Sequence, residues 1–162
     1  MSLAAIDERH LRRAIALARL SREHGNHPFG SLLTGADGNV VLEAENTVVS
    51  AHDVTGHAEL NLVRAASERF DVDALGPHTL YTSTEPCAMC AGAIYWSGIG
   101  RVVFALSSAT FQGKIDPNGA AGLALSSREV FARGGRAVEV SGPQLEDLAW
   151  TVHKGFWHPA GT

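Results

Sequence analysis

Only two cysteines occur in the 162 residues, Cys87 and Cys90, with two residues between them. That spacing suits a metal site or a redox pair better than a structural staple. The chain must therefore fold around an ordinary apolar core. With 45% hydrophobic and 19% charged residues, its length fits one domain over residues 1–162. The net charge of −4 argues against a surface built for nucleic acid, although a local basic patch is still allowed. No apolar run approaches the ~18 residues of a membrane helix, and Met1–Glu8 carries no basic-then-apolar leader. The expectation is a cytoplasmic protein.

Hydrophobic patterning alternates between helix and strand. Leu11, Ile15, Ala18 and Leu20 outline an opening amphipathic helix that ends near His24-Gly25. Gly30–Thr34 and Val40–Ala44 read as strands joined by a hairpin turn at Gly35–Gly38. His57–Phe70 reads as a helix with Leu62, Ala65, Ala66 and Phe70 on its apolar face. Thr79–Ser83 is a short strand, after which Pro86 marks a helix start. Arg101–Leu106 is a strand apolar enough to be buried on both faces. A short helix over Ser127–Arg133, a strand over Arg136–Ser141 and a closing helix over Gln144–Phe156 complete the order. Gly113–Gly122 reads as a surface loop. This alternation predicts a sheet covered on both faces, a three-layer α/β/α sandwich.

Two fragments carry chemistry, His57-Ala58-Glu59 and Pro86-Cys87-Ala88-Met89-Cys90. One imidazole and two thiolates are good zinc ligands, and three protein ligands leave a fourth position for water, as in catalytic sites. No further cysteine exists to close the set; of the remaining histidines, His27 and His52 are placed by sequence to approach it. Cys87 is expected in the first turn of its helix and Cys90 one turn later, where the helix dipole favours thiolate. His57 opens its own helix. Glu59, two positions on, points away from His57, so it can miss the metal and still reach a bound water as a proton shuttle. Taken alone, the Cys-x-x-Cys pair equally describes a redox site and Glu59 a solvent-facing acid.

The pattern His-x-Glu followed by Pro-Cys-x-x-Cys is a zinc deaminase signature. On His57, Glu59, Pro86, Cys87 and Cys90, with Pro28-Phe29-Gly30, Ala44-Glu45-Asn46 and Tyr81–Glu85 around them, the chain resembles the cytidine deaminase superfamily over roughly residues 8–106. The resemblance implies a mixed five-stranded sheet, one Zn2+ per chain and a homodimer. It also implies hydrolysis in which zinc-bound hydroxide attacks the amine-bearing carbon while Glu59 carries the proton to the ring and then to the leaving amine. By the same resemblance, Asn46 hydrogen-bonds the base and the Ala58 N–H holds a ring carbonyl. Phe29 and Trp96 join the substrate-facing set, although Phe29 also reads as core and Tyr95-Trp96 as dimer interface.

Within the superfamily, Gly92–Trp96 is similar to guanine deaminases and Ile99–Phe104 to tRNA adenosine deaminases. The aromatic segment Gly155–His158 suggests that Phe156 or Trp157 completes a neighbouring subunit's pocket, as in guanine deaminases. The favoured reaction is guanine to xanthine, in purine salvage, with cytosine or another aminated heterocycle as the nearest variant. Adenosine editing in tRNA is the rival. Against it, residues 120–162 carry four basic and four acidic side chains and no basic tail. A non-catalytic zinc-binding partner subunit ranks last, because such a protein is expected to lack the Glu59 carboxylate.

Overall fold

The computed structural model describes residues 3–116 and 122–157. Helix α1 (Leu3–Glu23) buries Leu11, Ala14, Ile15, Leu17 and Ala18, the three-and-four spacing of one helical face. Strands β1 (Gly30–Thr34) and β2 (Val40–Glu45) form an antiparallel hairpin, turned where Gly38 adopts φ 76°. Short α2 (Val48–Ala51) precedes α3 (Ala58–Ser67) and a 3-10 turn at Val72–Leu75. Then come β3 (Thr79–Thr84), α4 (Ala88–Ser97), β4 (Arg101–Leu106), α5 (Ser108–Ile115), α6 (Ser127–Ala132), β5 (Glu139–Ser141) and α7 (Glu146–Trp150).

The sheet order is β2-β1-β3-β4-β5, with β3, β4 and β5 parallel and β1 antiparallel to β2 and β3. It is the mixed five-stranded sheet with helices on both sides that was expected. Alternation along the strands divides the core. Leu32 and Val103 face the α1 and α7 layer, whereas Leu33 and Val102 face the layer that contains Leu62, Ala91, Ile94 and Phe131. Gly30 is where β1 meets α1: a Cβ there would stand 2.5 Å from the Ala18 nitrogen, closer than atoms pack.

The amino-terminal rim of the parallel strands is tied by charge. The Arg101 guanidinium donates to both oxygens of Asp7 at 2.9 and 2.8 Å and to Glu139 at 2.9 Å. The Tyr81 hydroxyl adds a bond to Asp7 at 2.8 Å. Burial works to raise the Asp7 carboxyl, and the bonds from Arg101 and Tyr81 outweigh it, holding the group below its ordinary range.

Several expected boundaries move. Cys87 is extended (φ −65°, ψ 170°), so α4 begins at Ala88 and Pro86 lies outside it. Cys87 instead takes the N-cap position, where the backbone is not yet helical. Helix α3 stops at Ser67, short of Phe70. Gly113 is inside α5, which a glycine-based reading takes for loop; the side chain of Ser107 caps that helix by accepting from the Thr110 N–H. The remainder of that expected loop, residues 117–121, lies outside the described residues. Strand β5 pairs only over Glu139–Ser141, and the closing helix covers only Glu146–Trp150 before turns take over.

Candidate active site

Open α/β sheets place their sites beyond the carboxyl ends of parallel strands, where loops part and helix N-termini point inward. Here β3 leads into Glu85-Pro86-Cys87 and β4 into Ser107-Ser108, while antiparallel β1 begins beside them, with Ser31 opposite Thr82. His57 is the N-cap of α3 and Cys87 the N-cap of α4. The His57 Nδ1 lies 3.6 Å from the Cys87 Sγ and 3.5 Å from the Cys90 Sγ.

Those separations test the fit of a metal. Zn–S bonds of about 2.3 Å and Zn–N bonds of about 2.0–2.1 Å make the N···S edge of a tetrahedron about 3.6 Å. Both N···S separations match that edge length, and among the described residues His57, Cys87 and Cys90 are the one convergent group of this kind. His27 and His52 are not in it. A hydrogen bond from Cys90 and another from His57 draw the Cys87 thiol down to about 4, a thiolate at neutral pH. The negative Cys87 sulfur and burial push Cys90 the other way.

Glu59 is 5% exposed and outside the ligand triad. Its Oε1 accepts from the Thr82 hydroxyl at 2.9 Å, which itself accepts from Ser31 Oγ at 3.0 Å. One oxygen is thereby pinned, and Oε2 faces the Cys90 sulfur at 3.7 Å. Burial is the largest influence on Glu59 and raises its carboxyl above the ordinary range. That is the direction required of a group that both takes and gives a proton.

Above these residues is a cavity of about 150 Å³ with Phe29, Phe111, Thr84, Glu85, Ser108 and Gln112 in its walls and His57, Glu59 and Cys87 at its reactive end. Pockets for drug-sized ligands run to roughly 300–1,000 Å³, so this space suits one small heterocycle. Both Glu85 oxygens are engaged. One accepts from the Ser108 N–H at 3.0 Å, the other from the Ser127 N–H at 3.1 Å and its hydroxyl at 2.8 Å.

The expected substrate contacts divide. Phe29 lines the cavity, whereas Trp96 does not and is 79% exposed. Asn46 is buried; its Oδ1 accepts from the Val48 N–H at 3.0 Å and its Nδ2 has no partner. Its backbone N–H reaches the Phe29 carbonyl at 3.1 Å, which sets it beside the cavity wall. Ala58 is fully buried at the start of α3. Phe156 and Trp157 fold back on their own chain: Trp157 packs on Phe29, Phe111 and His153, and Phe156 on Trp157. They back the wall without lining it. His158 lies outside the described residues. Sequence reasoning missed Phe111, Gln112 and Ser108, all on α5; the signal available for them was the capping serine at 107.

The fold and this site define a zinc-dependent deaminase. The family model described as the cytidine and deoxycytidylate deaminase zinc-binding region matches residues 4–106, and the chain belongs to that family. Zinc is its cofactor, and its members are hydrolases acting on amidine groups of nucleobases and nucleosides. A probable cytosine deaminase from Schizosaccharomyces pombe is 41% identical over 162 residues, covering 96% of this chain and 94% of that protein. A guanine deaminase from Bacillus subtilis is 39% identical over 99 residues, 60% of this chain and 63% of its own. A solved tRNA deaminase, studied for A-to-I editing at the wobble position, superposes with TM-score 0.72 at 28% identity, covering 90% of this chain and 99% of that one.

Proposed function

We propose that this chain deaminates a free nucleobase, with cytosine the leading substrate and guanine the second. The observation that carries the reading is the small cavity of about 150 Å³ at the reactive end of the site. It has room for a base and little for an attached sugar. Similarity along almost the whole chain to a probable cytosine deaminase supports the order, which puts cytosine ahead of the guanine favoured by the motifs alone. The net charge of −4 speaks against tRNA as substrate.

In this reading His57, Cys87 and Cys90 hold the metal. Zinc there supplies a water acidified to near neutrality. Glu59 Oε2 takes one proton from the attacking water and delivers it to the ring nitrogen, then takes the second from the hydroxyl now on the carbon and hands it to the departing amine. Water adds at the carbon, the C–N bond breaks, ammonia leaves and a carbonyl remains. The free Nδ2 of Asn46 and the N–H of Ala58 orient the base, and Phe29 and Phe111 exclude solvent. Two thiols kept for a metal suit a reducing compartment such as the cytoplasm.

The test is ammonia release by zinc-loaded protein from cytosine, guanine, their nucleosides and tRNA. Glu59→Ala should retain zinc and lose at least about 10²–10⁴-fold in turnover, whereas Cys87→Ala should lose both metal and activity. An active Glu59→Ala enzyme sinks the shuttle role. Turnover confined to tRNA, with tight salt-sensitive binding, sinks the free-base reading.

A further inference from the structure

Thr84 is 5% exposed, lines the cavity and has a hydroxyl oxygen with no hydrogen-bond partner. A buried hydroxyl left unpaired pays its desolvation without return, and a valine of the same shape would not. The polar side chains nearest it in sequence are already committed. Thr82, on the same face of β3, is tied to Glu59, and both Glu85 oxygens are taken by Ser108 and Ser127. Phe29 and Phe111 supply apolar walls.

We propose that the Thr84 hydroxyl is a specificity-determining contact that completes its hydrogen bond on the ring edge of the bound base. This rests on the free-base reading and narrows it. The substrate is an aminated heterocycle that presents a ring nitrogen or carbonyl oxygen to the cavity wall formed by the end of β3. A hydroxyl both donates and accepts, so Thr84 serves either atom but not a carbon–hydrogen edge. A site built to hydrogen-bond its substrate rejects analogues that lack the bonded atom far better than an apolar pocket does.

The experiment compares wild type, Thr84→Val and Thr84→Ser, each zinc-loaded, on the base that wild type turns over best. Thr84→Val should lower kcat/KM by about 10- to 100-fold with zinc content unchanged and Tm equal or higher. Thr84→Ser should stay within a few-fold of wild type. A structural role would give the reverse pattern, a lower Tm with kinetics intact. If Thr84→Val keeps kcat/KM within about twofold, the proposal falls and the free-base reading stands. If wild type turns over no aminated base, both fall.

Discussion

His153 is 1% exposed among the rings behind the cavity, and its Nδ1 accepts from the Trp157 indole N–H at 3.2 Å. The neutral ring therefore carries its proton on Nε2, which is buried without a partner. Burial, with the Arg22 charge adding to it, pushes the imidazole down to about 4. A folded pKa below the unfolded value of about 6.5 means that the unfolded chain binds a proton in that window which the folded chain refuses. Stability is complete above about pH 6.5, declines as pH falls, and levels off below about 4, a loss on the order of 3 kcal/mol. Urea unfolding from pH 4 to 8 on wild type and His153→Phe should show this slope in their difference; parallel curves would refute it. Zinc ligands titrate in the same range, so the comparison and not either curve alone is the readout. At this scale the sequence was informative where chemistry restricts residue type. His57, Glu59, Cys87 and Cys90 were readable because few side chains bind zinc or shuttle protons. Thr84 was not, because an unpaired hydroxyl is visible only once its neighbours are in place.

Helices α5 and α6 both start on one carboxylate. Ser108 and Ser127 are their first residues, and each N–H donates to Glu85. Negative charge at two helix N-termini is favourable on dipole grounds as well. Because α5 carries Phe111 and Gln112 into the cavity wall, Glu85 sets the position of that wall from below. Glu85→Gln keeps the size but turns an NH2 group toward donors that need an acceptor. The expected cost is about 2 kcal/mol, with faster amide exchange over Ser108–Ile115 and a raised KM. Unchanged exchange in α5 would count against this role. The sequence showed β1, β3 and β4 nearly to the residue, since buried strands need unbroken apolar or β-branched runs. It misjudged α5 because Gly113 and the glycines after it resemble a loop. It overextended α7 because the stripe Leu145, Leu148, Val152 and Phe156 continues into turns, where Val152 is buried and Phe156 half-buried without a helix.

At the scale of the whole molecule, several apolar side chains stand uncovered among the described residues, two of them on α4. Met89 and Trp96, seven residues apart on one face of α4, are 38% and 79% exposed. A homodimer through this face is the arrangement we propose, since aromatic and methionine side chains are enriched at such surfaces. Trp96→Glu should shift the sedimenting species from dimer to monomer at micromolar concentration; a wild-type monomer would remove the idea. No helix among the described residues is long and apolar enough to cross a membrane. The Asp7–Arg101–Glu139 tie closes the rim of the sheet opposite the cavity. None of those three side chains lines the cavity, so substitutions there should move the unfolding temperature and leave the choice of base alone.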